Sequence, residues 1–223
     1  MLKMMVLATN NKNKVVEFES ILKEYKIELK CLADFGALPE AVEDGDTFDE
    51  NAYKKALHYA KILGLPAIAD DSGLVVEALN GEPGVFSARY AGENATDEEN
   101  RNKLLERMAG ITNREAAFHC VLSIAVPSGP ALTYEAHCQG VITESPKGVG
   151  GFGYDPLFFY PEMGKTFAEM TPAEKNSVSH RAKALLEFAS EFQQVCKWLE
   201  LRLAEAKPPK PDHSQFEDND WSA

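Results

Sequence analysis

Apolar positions along the chain change period several times, and each change marks an element. Residues 4–8 (Met4-Met5-Val6-Leu7-Ala8) form a short unbroken apolar run, the mark of a buried strand. After a polar stretch, Val15, Phe18, Leu22 and Tyr25 recur at helical spacing, so the chain opens as strand then helix. Near the other end Ala184, Leu185, Phe188, Phe192, Val195, Cys196 and Leu199 keep that period, which predicts one amphipathic helix over residues 180–204. Three helix starts carry Thr-x-x-Glu: Thr47 with Glu50, Thr96 with Glu99, and Thr171 with Glu174, where Pro172 takes the first helical position. Residues 116–126 and 132–142 are β-rich and flank Pro127-Ser128-Gly129-Pro130, so they predict an antiparallel hairpin. Short strands alternating with helices beside a hairpin make the sheet mixed rather than purely parallel.

The pattern stops after Ala206. Lys207-Pro208-Pro209-Lys210-Pro211-Asp212 opens a polar, proline-bearing segment with no apolar period, so residues 207–223 read as a disordered tail. Residues 1–206 contain no internal repeat and no linker, and read as one domain. Across 223 residues, 44% hydrophobic and 26% charged content fit a soluble globular protein and exclude fibrous or wholly disordered classes. No apolar run approaches the roughly 20 residues that span a bilayer, and residues 4–8 are too short for a signal-peptide core. A net charge of −12 argues against a surface that coats duplex nucleic acid or anionic membrane. A small polyanionic substrate stays open, provided that local cations and a metal offset the field. Cys31, Cys120, Cys138 and Cys196 lie far apart with no C-x-x-C pair, which favours a reducing cytoplasm over a disulfide scaffold.

Five segments could carry chemistry. Thr9-Asn10-Asn11-Lys12-Asn13-Lys14 joins the first strand to the first helix, where backbone N–H groups and lysine ammoniums could hold phosphate; without Walker glycines, a solvated loop explains it too. Asp70-Asp71-Ser72-Gly73 follows Ala67-Ile68-Ala69, and two carboxylates at a strand end could hold Mg²⁺ and orient a water; an ordinary Asp-Ser-Gly turn fits equally well. Glu40-Ala41-Val42-Glu43-Asp44-Gly45-Asp46 puts acids before the helix capped by Thr47, as metal ligands or as partners of the helix dipole. Gly148-Val149-Gly150-Gly151-Phe152-Gly153-Tyr154-Asp155-Pro156 would let a planar base approach and stack on Phe152, or is a glycine-rich turn with Phe152 in the core. In Glu174-Lys175-Asn176-Ser177-Val178-Ser179-His180-Arg181, Lys175 offers a point charge and Arg181 a fork of donors, or both are solvated helix charges. For His180 a capping or hydrogen-bonding role competes with a functional one. His119-Cys120 and His137-Cys138 suggest zinc. A turn centred between Ser128 and Gly129 would set His119 opposite Cys138 and Cys120 opposite His137, but adjacent strand residues point to opposite faces, so four ligands cannot converge.

Taken in order, Thr9-Asn10-Asn11-Lys12-Asn13-Lys14, Asp70-Asp71-Ser72-Gly73, Phe152-Gly153-Tyr154-Asp155 and Ser179-His180-Arg181 resemble the inosine/xanthosine triphosphate pyrophosphatase family. Thr47-Phe48-Asp49-Glu50-Asn51-Ala52 and Pro83-Gly84-Val85-Phe86-Ser87-Ala88-Arg89-Tyr90 extend the similarity, which runs from about Met4 to Leu203. The resemblance implies an α/β fold with a long mixed central β-sheet flanked by helices, two lobes with a nucleotide cleft between them, and a homodimer. It implies Mg²⁺-dependent hydrolysis of ITP, dITP and XTP to the monophosphate and pyrophosphate. By the same resemblance Thr9, Asn10, Asn11, Lys12, Asn13 and Lys14 become the triphosphate loop, with Lys175 adding charge from the other lobe. Asp71 becomes the metal-associated general base, and Glu43, or Glu40 close by, the second metal ligand. Phe152 would stack on the purine, Asp155, His180 and Arg181 would surround its edges, and Ser72, Gly153 and Tyr154 would complete the site. Arg181 carries only donors, which suits the 6-oxo group of hypoxanthine or xanthine and opposes the 6-amino group of adenine.

The tail lacks the apolar surface that would offset its ordering entropy. A chain ending at Ala206 is therefore expected to keep its turnover and its melting temperature. A large loss of either, in a thermal melt or a nucleotide assay, would show that the tail docks on the fold or on a dimer.

Overall fold

The structure, a computed structural model, describes residues 4–25 and 28–205; the expected tail at 207–223 and the domain boundary at 206 lie outside them. Seven strands, β1 (Met4–Leu7), β2 (Glu28–Cys31), β3 (Ala67–Val76), β4 (Glu115–Ala125), β5 (Ala131–Ile142), β6 (Phe158–Tyr160) and β7 (Lys165–Thr166), form one sheet in the order β2-β1-β3-β4-β5-β6-β7. β1 pairs in parallel with β2 and β3, and every later pairing is antiparallel, so the sheet is mixed as expected. The helices are α1 (Lys12–Leu22), α2 (Phe48–Leu63), α3 (Asp97–Arg107), α4 (Pro172–Val178), α5 (His180–Ser190) and α6 (Phe192–Glu205). Thr47, Thr96 and Thr171 cap α2, α3 and α4. Only the last two form the reciprocal box, because Glu50 Oε2 accepts from Asp46 N at 2.8 Å instead.

The alternation of strand side chains explains the two lobes. On β3, β4 and β5 the even-numbered residues share one face. At one end of that face Ile68, Cys120, Leu122, Ile124 and Tyr134 pack with Phe18, Leu185, Phe188 and Leu199 of α1, α5 and α6. At the other end Leu74, Val76, Ala116, Phe118, Cys138 and Ile142 pack with Leu104, Tyr154, Phe158 and Phe167. The odd face of the first end, Ala67, Ala69 and Ala125, packs on Ala56, Tyr59 and Ala60 of α2. Between the two even-face cores β3 carries Asp70 and Ser72. There β1 has already stopped, with Leu7 opposite Ile68, so the β3 edge opens into a cleft.

Three sequence expectations change. Asp70-Asp71-Ser72-Gly73 is neither a turn nor a strand end: β3 runs through it, in register with β4 from Ala67↔Ala125 to Val76↔Ala116. Cross-strand pairing overrides the local turn signal. The single closing helix is two, broken at Glu191, whose carboxylate accepts from Tyr134 Oη on β5 at 2.9 Å. The apolar period survives the break because both helices pack on the same core, with Phe188 and Phe192 ring centroids 5.8 Å apart. Finally, the hairpin turns on an odd connection, residues 126–130, closed by Val126 N to Pro130 O at 3.1 Å. His119 therefore faces His137, not Cys138, and Cys120 faces Ala136. Cys120 and Cys138 point into separate even-face cores, and among the described residues no group of three or more His, Cys, Asp or Glu could hold a metal.

Gly140 on β5 shows how closely β6 approaches: a Cβ there would lie 2.6 Å from Phe158 Cζ and 2.6 Å from the Phe159 carbonyl oxygen. The oxygen belongs to the backbone and cannot swing aside. Gly140→Ala is expected to destabilise the fold by about 1–3 kcal/mol, the usual consequence of overpacking, read as a lower urea midpoint at unchanged slope.

Candidate active site

Asp70 is buried, 1% exposed, in the gap between the two cores, behind Lys14, Ser72 and Arg181 of the cleft wall. A bare carboxylate is not stable there, so cations converge on it. Lys14 Nζ lies 2.8 Å from Oδ2, Arg181 donates from Nε at 3.1 Å with Nη2 at the same distance, and Ser72 Oγ donates at 3.0 Å. Burial pushes the Asp70 pKa up, but Lys14, Arg181 and Lys55 outweigh it and hold the group far below the ordinary carboxylate range. Lys14 reaches this point because Asn11 caps α1, its Oδ1 accepting from Asn13 N at 2.9 Å and Lys14 N at 3.3 Å. Helical spacing then turns Lys14, Glu17 and Phe18 inward.

Asp71, one residue on, points to the odd face and meets different groups. Lys55 of α2 sits there, donating to the Asp70 carbonyl at 3.1 Å and pairing with Glu43 Oε2 at 2.7 Å. The acidic loop that carries Glu43 is pinned by Asn51, whose Oδ1 accepts from Gly45 N at 2.8 Å, and by Arg89, which donates to the Glu43 carbonyl at 3.2 Å. Asp71 Oδ1 accepts only from the neighbouring Ser72 N, and Oδ2 is buried with no hydrogen-bond partner among the described residues. Burial raises the Asp71 pKa above its ordinary value, with Glu43 and Asp70 adding to the rise and Lys55 and Lys14 opposing it.

The opposite end of the cleft is aromatic. Phe118 of β4 and His180 stack at 4.7 Å, and Phe152 rises from the glycine-rich loop. Lys175 Nζ lies 4.6 Å over the Phe152 ring and Arg181 Cζ 5.8 Å. Asp155 Oδ2 accepts from Phe152 N at 3.0 Å and Lys175 Nζ at 2.7 Å. Glu17 of α1 closes the network, pairing with Lys175 at 3.1 Å and with Arg181. His180 is fully buried with Nδ1 unpartnered; burial, then Arg181 and Lys175, holds it neutral.

One cleft of about 390 Å³ joins these parts. Of the residues expected in a substrate site, it brings together Thr9, Asn10, Asn11, Lys14, Ser72, Phe152, Gly153, Tyr154, Asp155, Lys175, His180 and Arg181, with Asp71, Glu43 and Glu40. Lys12 and Asn13 do not line it: they occupy the outer side of the first turn of α1 and are exposed. Asp155 and Glu17 hold the Lys175 ammonium beside Phe152. Arg181 already donates from all three nitrogens, to Asp70, Glu17 and Ser72. Several members were missed, among them Lys55, Phe118 and Asp97 of the cleft wall and Glu17 of the network behind it. For Glu17 and Lys55 a signal was present, because Glu17 lies one turn after Lys14 and Lys55 interrupts the buried stripe Asn51, Ala52, Ala56, Tyr59.

The Ham1 family matches over residues 5–191. A dITP/XTP pyrophosphatase of Desulfotalea psychrophila is 64% identical over 222 residues, 100% of each chain. One of Syntrophobacter fumaroxidans is 59% identical over 201 residues, 90% of this chain and 87% of the other. Among solved structures, a HAM1 protein from Coxiella burnetii aligns with a TM-score of 0.81 at 44% identity, covering 87% of this chain and 100% of that one. The Ham1 protein of Staphylococcus aureus aligns at 0.77 and 39% identity over 86% of this chain and 98% of that one.

Glu17 allows a test of the network away from Asp71. Burial raises its pKa, but Arg181 and Lys175 outweigh burial and leave it lowered. A lowered carboxylate adds stability above its unfolded value of about 4.3, and that stability fades as pH falls below it. Glu17→Gln should lower unfolding free energy at pH 7 by about 3–5 kcal/mol, as breaking a buried pair does. In urea titrations the gap to the parent should narrow below about pH 4; a gap independent of pH would refute the pairing.

Proposed function

The chain belongs to the Ham1 family, and from that premise we propose that it is a nucleoside triphosphate pyrophosphatase. It hydrolyses noncanonical purine nucleoside triphosphates such as ITP, dITP and XTP to the monophosphate and pyrophosphate, clearing them from the nucleotide pool. The observation that carries this is the isolation of Asp71. Of the five carboxylates Glu17, Glu43, Asp70, Asp71 and Asp155, Asp71 alone has no ion-pair partner among the described residues; its Oδ2 is buried and unsatisfied, as is Oδ1 of the ion-paired Asp70. Such an atom is costly unless a ligand or metal takes it up.

The donor set suits Mg²⁺, which takes one or two protein carboxylates and completes its shell with water and phosphate oxygens. Asp71 and Glu43 would hold it, and Glu43 is preferred to Glu40 because Lys55, Arg89 and the Asn51–Gly45 bonds fix its loop. When bound, the metal offsets charge on the departing pyrophosphate. Thr9, Asn10, the N–H groups of the Asn11-capped helix and Lys14 bind phosphate oxygens, with Lys55 across from them. Asp71 orients and deprotonates the water that attacks the α-phosphorus. The bond from that phosphorus to the bridging oxygen then breaks.

Phe152 stacks on the purine, and Asp155, His180 and Arg181 surround its edges. Because Arg181 is shared with Asp70, Glu17 and Ser72, the 6-oxo group takes whichever N–H these leave. Residues 1–206 form the catalytic domain. A homodimer and a cytoplasmic location complete the proposal, the latter supported by four free cysteines. Among the described residues no helix is long and apolar enough to cross a membrane.

The test is product analysis over a panel of nucleotides. ITP and XTP should exceed ATP and GTP in kcat/KM, releasing pyrophosphate in one step, and chelation of divalent metal should abolish turnover. Asp71→Asn should lower kcat by roughly 10²–10⁴ with nucleotide binding retained. Orthophosphate as first product would overturn the mechanism. Preference for modified pyrimidine or 7-methylguanine nucleotides would identify a different house-cleaning enzyme, and affinity without turnover a silent binding module.

A further inference from the structure

We propose that Asp97 and Arg101 of α3 are positioning residues, a two-pronged clamp on the Gly153 peptide that sets Phe152 for the base. The inference rests on the stacking role given to Phe152 above. Gly153 N donates to Asp97 Oδ2 at 2.7 Å, and Arg101 Nη1 donates to the Gly153 carbonyl at 2.8 Å. One residue thus has both its backbone groups gripped by side chains more than fifty positions away in sequence. Asp97 and Arg101 stand four apart on one face of α3, so a single rigid helix presents both prongs. Each bond has one ionised partner, which makes it stronger than a neutral one.

The loop needs an external hold. Gly148, Gly151 and Gly153 all adopt positive φ, at +80°, +70° and +58°, and glycine-rich backbone has many conformations open to it. Asp155 fixes the Phe152 N–H from within the loop. In the next peptide Phe152 O accepts from Asp155 N at 3.1 Å, and the α3 clamp holds its N–H and the Gly153 carbonyl from outside the loop, so the two together determine the backbone on both sides of the Phe152 Cα. The helix can bear the load: Thr96 and Glu99 cap it reciprocally, Asn100 between the prongs bonds to Ala88 O at 3.1 Å and Ala91 N at 2.8 Å, and Leu104 is buried in the core.

The experiment measures two things on the full chain, amide hydrogen exchange across residues 149–154 without nucleotide, and KM and kcat for ITP. Asp97→Ala and Arg101→Ala should speed exchange of that segment about tenfold, as losing a charge-assisted bond does in a local opening. They should raise KM by several-fold to about tenfold with kcat within about threefold, because positioning of the base, not the attacking water, is disturbed. Asp97→Asn and Arg101→Lys keep an acceptor and a donor and should recover most of the loss. Glu98→Ala removes the same sign of charge from the same helix turn and should move neither reading. Phe152→Ala is the reference and should raise KM at least as much. Unchanged exchange in both alanine variants would overturn the clamp. So would faster exchange with unchanged KM when Phe152→Ala raises it, or an equal effect of Glu98→Ala. An unchanged KM in Phe152→Ala would instead overturn the stacking role, and the positioning role with it.

Discussion

Asp70 sets the terms for everything around it. A carboxylate in the gap between two hydrophobic cores has lost its water, and only opposite charge at contact distance makes that tolerable. Lys14 and Arg181 supply it, which ties the start of α1 and the start of α5 to the middle of β3. Arg181 then requires a second anion, and Glu17 provides it; Glu17 also holds Lys175, and Lys175 reaches Asp155 and the Phe152 ring. A relay of alternating charges runs from the lysine loop to the aromatic end without a gap. Well-packed apolar side chains often match or exceed such a relay in stability. What the ionic version provides here is a set of discrete contacts that tie α1 and α5 to β3.

Much of this was legible from local signals. The helix starts at Thr47, Thr96 and Thr171 were readable because a cap is a contract among four neighbouring residues. Most of the polar cleft residues were found by motif, and periodicity kept Phe18, Leu22, Leu185 and Leu199 in the core. The failures share one origin, information that is not local. Asp-Asp-Ser-Gly reads as a turn until ten cross-strand pairs with β4 are known. The break at Glu191 depends on a tyrosine fifty-seven positions earlier. Lys12 and Asn13 were grouped with Lys14 because a motif is contiguous, whereas a helix presents only every third or fourth residue to one side. Glu17 and Lys55 stand outside every motif, and their partners across the fold mark them.

The balance of charge also bears on how an acidic chain accommodates a triphosphate. The protein carries −12 overall, yet the cleft gathers Lys14, Lys55, Lys175 and Arg181. Each already faces a carboxylate, so an arriving phosphate does not meet bare cations. In the proposed binding mode it would share Lys14 with Asp70 and Lys55 with Glu43. Sharing weakens each contact, and it keeps the empty site from trapping any passing anion.

The pleat of β3 has an evolutionary consequence. Asp70 and Asp71 differ in surroundings because one side chain falls on the even face, among Lys14 and Arg181, and the other on the odd face, beside Lys55 and Glu43. Parity along the strand therefore acts as a reading frame. Inserting or deleting one residue ahead of Asp70 within β3 would turn each acid to the opposite face and at the same stroke turn Leu74 and Val76 out of their core. Substitutions can drift through this strand one at a time, but a length change cannot, so lineages descended from this architecture should vary β3 in letters and never in count.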